Sequence, residues 1–130
     1  MAHPNEAMIR KGYDAFSSGD METLGQLMTP DVSHSTQGNN PTSGEHKGRE
    51  AVFAMYGQLF ELSDGTFEVD PQEVVAEGDN KVVAKHHARA KRGDKELDVI
   101  QTLVFTIEDA KIARIDESTS DEAAEDAFWS

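Results

Sequence analysis

The hydrophobic pattern changes its period at Thr66, and that change constrains the fold more than any other feature of the chain. Before Thr66 the apolar residues recur at helical spacing. Met8, Ile9, Gly12, Tyr13 and Phe16 predict a helix over residues 4–18, opened by Pro4 and Asn5 and closed by Gly19. Asp20 caps a shorter helix with an apolar face of Met21, Leu24, Leu27 and Met28, which Thr29-Pro30 stops. A short strand over 32–35 and a polar, glycine-rich loop over 37–48 follow. Gly48-Arg49-Glu50 then opens a third helix carrying Val52, Phe53, Tyr56, Leu59 and Phe60.

After Thr66 the period is two. Strands are predicted over 67–69, 73–77, 81–90, 96–107 and 111–117. Their separators, such as Gly78-Asp79-Asn80 and Asp109-Ala110, are short enough to be hairpin turns, so the sheet is expected to be antiparallel. The tail, 120–129, has the apolar residues of a short docking helix. Helices first and a meander of strands afterwards make an α+β protein. A long sheet curved around three N-terminal helices encloses an apolar pocket. The 130 residues suit one domain, 1–130.

Charge narrows the partners. With 25 acidic and 12 basic residues the net charge is −13, which opposes binding to nucleic acid or an anionic membrane. No cysteine is present, which excludes disulfides and thiolate chemistry. The start, Met1-Ala2-His3-Pro4-Asn5-Glu6, lacks the basic and apolar regions of a secretory signal, and no apolar run is long enough for a bilayer. A soluble, cytoplasmic protein is expected. The glycines form no phosphate-binding fingerprint and no serine sits in a nucleophile elbow, so no cofactor is expected.

The pocket is where chemistry is expected. On the strand 81–90, Val82, Ala84, His86, Ala88 and Ala90 share the core face, leaving His86 as a lone ionisable group among small residues. The bland alternative is a core histidine bonded to backbone. His87 faces the other way, so the adjacent pair cannot chelate one metal, and no metal site is expected. On the last strand Ile115 and Glu117 share a face opposite Arg114 and Asp116. Glu117 at the mouth of an apolar pocket suits a general acid or base; the alternative is a solvated strand end running into the acidic tail. Gln101, among Val99, Leu103 and Phe105, can bond a ligand oxygen, and His34 is a similar candidate.

Several segments together resemble the SnoaL-like branch of the ketosteroid-isomerase-like (nuclear transport factor 2-like) superfamily. They are Phe16-Ser17-Ser18-Gly19-Asp20, Pro30-Asp31-Val32, Gly38-Asn39-Asn40-Pro41, Lys47-Gly48-Arg49-Glu50-Ala51-Val52, the Arg92-to-Val99 hairpin, and Asp126-Ala127-Phe128-Trp129. The resemblance implies a cone-shaped α+β barrel, a homodimer, and a small hydrophobic ligand. The ketosteroid isomerase catalytic positions fall on Gly12 (beside Tyr13), near Thr36, and on Gln101, so all three identities are changed and that mechanism is not expected. His86 and Glu117 fall where many relatives carry polar pocket residues. Asp116 stands where they often carry an aromatic and Ser33 where a tryptophan is common, changes that enlarge or polarise the pocket. His86 and Glu117 are thus the expected catalytic pair, with His34, Gln101, Asp116, Tyr13 and Phe53 around the ligand. Three functions compete: acid–base proton transfer on a small apolar carbonyl compound by an isomerase- or cyclase-type enzyme; carriage or sensing of a hydrophobic ligand; and a dimeric interaction module with a vestigial pocket.

Overall fold

In the computed structural model, which describes residues 3–130, the helical and the period-two halves of the chain pack face to face. Met1 and Ala2, part of the expectation about a leader, lie outside the described residues. Helix α1 (Pro4–Ser18) starts with the His3 ring accepting the Asn5 N–H at 3.1 Å and ends at Gly19, whose φ of 76° suits a residue without a Cβ. Helix α2 (Met21–Gln26) is capped by the Asp20 carboxylate, which accepts the Thr23 N–H at 3.1 Å.

Strand β1 (Met28–Thr36) begins four residues before the expected position, and Met28 leaves the helix to pair with Ile112. Proline disfavours helical backbone at the preceding Thr29, so the chain is already extended there. The ladder is interrupted between Met28 and Ser33, which accommodates Pro30. The expected loop over 37–48 contains a further strand, β2 (Gly44–Lys47), which pairs antiparallel with Ser33 to Thr36. Helix α3 (Arg49–Leu62) buries Val52, Met55 and Tyr56.

The remaining strands are β3 (Glu68–Glu77), β4 (Lys81–Arg92), β5 (Lys95–Glu108) and β6 (Lys111–Thr119), followed by helix α4 (Glu122–Trp129). The two strands expected before Gly78 are one, with a register shift between Pro71 and Glu73 where the pattern broke. The six strands lie in the order β2-β1-β6-β5-β4-β3. The hairpin pairs are antiparallel as expected. The β1–β6 pair is parallel, because β1 enters from the helical half beside a strand whose paired residues come 81 to 84 positions later. The sheet does not close into a barrel: β2 and β3 remain its two edges.

The core has two connected parts. Under α1 and α3, Ile9, Val32, Val52, Val82, Ile112 and Ile115 are wholly buried. At the other end Phe67, Ala88, Leu97 and Val99 receive Phe128 and Trp129 from α4. Asp121 caps that helix through the Ala124 N–H, and Arg92 and Lys95 donate to the carbonyls of Phe128 and Ala127 at its C-terminus. Among the described residues no helix is long and apolar enough to cross a membrane.

Candidate functional site

The curved sheet and α1, α3 and α4 surround an apolar cavity into which polar groups project from seven elements. It leaves about 80 Å³ open to the centre of a water-sized sphere. One water needs roughly 10–15 Å³ on that measure, so the space takes a compact organic molecule. Its polar lining comprises Tyr13 on α1, His34 and Thr36 on β1, Tyr56 on α3, His86 on β4, Gln101 on β5, Glu117 on β6 and Glu125 on α4, with Thr42 from the β1–β2 loop.

These groups form two chains of hydrogen bonds. In the first, the Tyr13 hydroxyl meets His86 Nδ1 at 2.7 Å and His86 Nε2 meets Gln101 Oε1 at 2.6 Å. The Gln101 amide N–H donates to Glu125 Oε1 at 2.9 Å. An amide oxygen only accepts, so His86 Nε2 carries the proton. Burial lowers the His86 pKa from its ordinary value, opposed by the Gln101 bond and by the charge of Glu117. The ring is neutral, and its Nδ1 lone pair accepts the Tyr13 O–H. In the second chain, His34 Nε2 lies 2.8 Å from Glu117 Oε1 and His34 Nδ1 lies 2.9 Å from the Tyr56 hydroxyl. The side chains of His34 and Glu117 are 4% and 14% exposed, so their pairing is largely shielded from solvent.

Glu117 acts on both chains through its charge. The pKa values of Tyr13 and Tyr56 are raised above the ordinary phenol range, first by burial and then by that carboxylate. Glu125 is also raised, chiefly by burial; Glu117 adds to this, and bonds with Thr119, Gln101 and Trp129 oppose it. The phenols therefore stay protonated at neutral pH.

His86 makes stability pH-dependent. An unfolded chain takes a proton on this ring below about pH 6.5, whereas the folded chain resists until a lower pH. The stability from a neutral His86 is thus fully present above that value and lost as the pH falls through the lowered folded pKa. Glu125, with its raised pKa, has the opposite sign. Thermal unfolding between about pH 7.5 and 5.5 is expected to show a falling midpoint, and His86→Gln should flatten the slope. An unchanged slope in the variant would assign it to other groups.

Of the site residues read from sequence, Tyr13, His34, His86, Gln101 and Glu117 line the cavity. Asp116 does not. Strand alternation turns it to the outer face, where Arg114 Nε donates to its carboxylate at 3.0 Å and Arg114 Nη1 donates to Glu45. Phe53 does not line the cavity either: its ring packs over Gly25 and beside Tyr56 on a neighbouring stripe of α3. The expected partnership of His86 with Glu117 is replaced by His34 with Glu117 and His86 with Gln101. His87 is held on the outer face by Asp98, away from His86.

Tyr56, Thr36 and Glu125 were not among the expected site residues. Tyr56 follows Val52 and precedes Leu59 at helical spacing, so its hydroxyl had to find a partner inside. Glu125 lies three and four positions before Phe128 and Trp129, and so shares their inward face.

Comparison with known proteins places this architecture. Residues 9–115 match the family model described as SnoaL-like domain. The uncharacterized protein Rv0034 of Mycobacterium tuberculosis (strain H37Rv) is 32% identical over 122 residues, covering 94% of this chain and 93% of its own. The structure of Bal32a, from a soil-derived mobile gene cassette, superposes with a TM-score of 0.95 at 38% identity, over 98% of this chain and 97% of that one. A protein of unknown function with a cystatin-like fold from Xanthomonas campestris gives a TM-score of 0.90 at 30% identity, over 96% and 97%. On a family match that spans most of α1, all of α2 and α3, and all but the end of the sheet, this chain belongs to the SnoaL-like domain family.

Proposed function

We propose that this small-molecule pocket protein is an isomerase- or cyclase-type enzyme that moves a proton on a small, largely apolar carbonyl compound. The observation that carries this reading is the His34–Glu117 pair, 2.8 Å apart on the wall of an apolar cavity. Glu117 is the base. It takes a proton from the carbon beside the carbonyl, and the C–H electron pair moves towards the carbonyl oxygen as an enolate forms. The His34 Nε2–H bond holds the carboxylate in place, and Tyr56 fixes the other side of the imidazole.

The enolate oxygen needs a donor. Thr36 lines the cavity and pairs in register with Glu117 on the neighbouring strand, and its Oγ1 is buried with no hydrogen-bond partner among the described residues. Its O–H is placed to bond the developing oxyanion. Where the substrate carries a β,γ carbon–carbon double bond, the enolate is a dienolate, and returning the proton from Glu117 to the γ carbon moves the double bond into conjugation and completes an isomerisation. Attack of the enolate carbon on a second carbonyl of the same molecule completes a cyclisation, and the proton then goes to the new alkoxide.

The test is exchange of hydrogen for deuterium beside the carbonyl. Cyclohexanone and acetophenone in deuterium oxide, followed by proton NMR, are expected to lose their α-proton signals faster with the protein than without it. Binding of either ketone with no faster exchange would favour a carrier or sensor, a reading to which the neutral, fully bonded His86 also lends itself.

We also infer a homodimer through the outer sheet face. Val75, Val83 and Val104 stand in one cross-strand row there, and Val75 is 50% exposed. Sedimentation velocity reads the assembly directly, and a monomer mass would remove this assignment.

A further inference from the structure

The chain from Glu125 to Tyr13 crosses four elements and has a direction. Glu125 sits on α4, only 7% exposed, with Gln101 between it and His86. Its oxygen accepts, so the Gln101 NH2 group must face α4 and the amide oxygen must face His86. That oxygen also accepts, so His86 holds its proton on Nε2 and offers a bare Nδ1 to Tyr13. A phenol has one proton, and Tyr13 spends it on the imidazole. What remains for the cavity is the acceptor side of the Tyr13 oxygen.

We propose that Glu125 is a positioning residue for ligand selection: acting through Gln101 and His86, it commits the Tyr13 proton to the imidazole, so this part of the cavity takes a ligand hydroxyl and not a carbonyl oxygen. In the second chain His34 Nε2 lies 2.8 Å from Glu117 Oε1 and His34 Nδ1 lies 2.9 Å from the Tyr56 hydroxyl. Tyr13 thus presents an acceptor, whereas Thr36 Oγ1 supplies a free donor. The matching ligand carries a hydroxyl or enol at one position and a carbonyl at another. This assignment rests on reading the cavity as a small-molecule site, and it does not require that the site be catalytic.

If Glu125 is replaced by methionine, nothing on α4 accepts from Gln101. The amide is then free to turn over, His86 can move its proton to Nδ1, and Tyr13 can donate into the cavity. Nitrogen-15 NMR of the labelled protein reads the His86 tautomer directly, with His86→Gln assigning the signal. In the native chain His86 is expected to be protonated on Nε2, and Glu125→Met should shift it towards Nδ1. Phenol and anisole, titrated by NMR, test the consequence. The native protein is expected to bind phenol about tenfold more tightly, the worth of one hydrogen bond, and Glu125→Met should erase most of that preference. Gln101→Met cuts the same chain one residue further in, so a folding failure in either variant leaves the other to decide.

An Nδ1-protonated His86 in the native chain overturns the proposal. So does a native protein that fails to prefer phenol, or variants that keep both tautomer and preference. None of these readouts measures turnover, so absence of α-proton exchange would remove the enzymatic reading and leave this one standing.

Discussion

Replacing Trp129 by alanine is expected to destabilise the protein by about 3–5 kcal/mol, the largest single-residue effect on stability in the chain. The side chain is 1% exposed. Its indole lies 5.8 Å from the Phe67 ring and meets Phe128 edge-on with centroids 4.8 Å apart. Truncation removes the transfer free energy of the ring and leaves a void whose walls are the strands β4 and β5, which cannot collapse without breaking their ladder. A loss of this size is a large fraction of the stability of a domain this long. Guanidinium titration monitored by circular dichroism measures it. A loss under about 1 kcal/mol would mean that α4 is held by Arg92 and Lys95 at its C-terminus and not by its aromatic anchors.

Glu117→Gln is expected to lower α-proton exchange by a factor of about 10²–10⁴, the usual contribution of a positioned base. The substitution suits the question because it keeps shape and removes only basicity. His34 Nε2–H still finds an oxygen at the same place, so the cavity and its ligand affinity should persist while turnover falls. His34→Gln leaves the carboxylate but alters what holds it, and a loss of about tenfold is expected there. Full activity in Glu117→Gln would sink this carboxylate as the base. Full activity in His34→Gln alone would leave Glu117 as base without a need for its partner.

Much of the site could be read from alternation. Along β4 and β5 every second residue faces the interior, and that rule alone put His86 and Gln101 on the inner face, where they line the cavity. It also placed Glu117 opposite Asp116 and Arg114, as found; the error over Asp116 came from a family position that is often aromatic, and not from the strand pattern. Phe53 was misplaced by a different cause. A helix spreads its apolar residues over more than one stripe, and spacing does not say which stripe meets the cavity.

The pairings were illegible for physical reasons. Strand β2 is polar on both faces, as an edge strand can be, so it carries no periodic signal. Nothing in a strand's own sequence names its neighbour, and the parallel contact of β1 with β6 therefore had no local signature. His34 and Glu117 are 83 residues apart and are brought together only by that contact. Glu125 was hidden in plain view among acidic neighbours, because its burial depends on the docking of Phe128 and Trp129 beside it.

The parallel pairing also sets a timetable for synthesis. His34 has left the ribosome long before Glu117 is translated, and β1 can fill its second ladder only when β6 arrives. Until then the nascent chain holds three helices, β1 beside β2, and β3 to β5, with β1 and β5 each left with an open edge able to pair with another unfinished copy. Contacts of such sequence separation are slow to form, because the loop between the partners must be closed before they repay it. The His34–Glu117 pair is thus among the last parts of the molecule to exist, and no shortened chain ending before β6 can contain it.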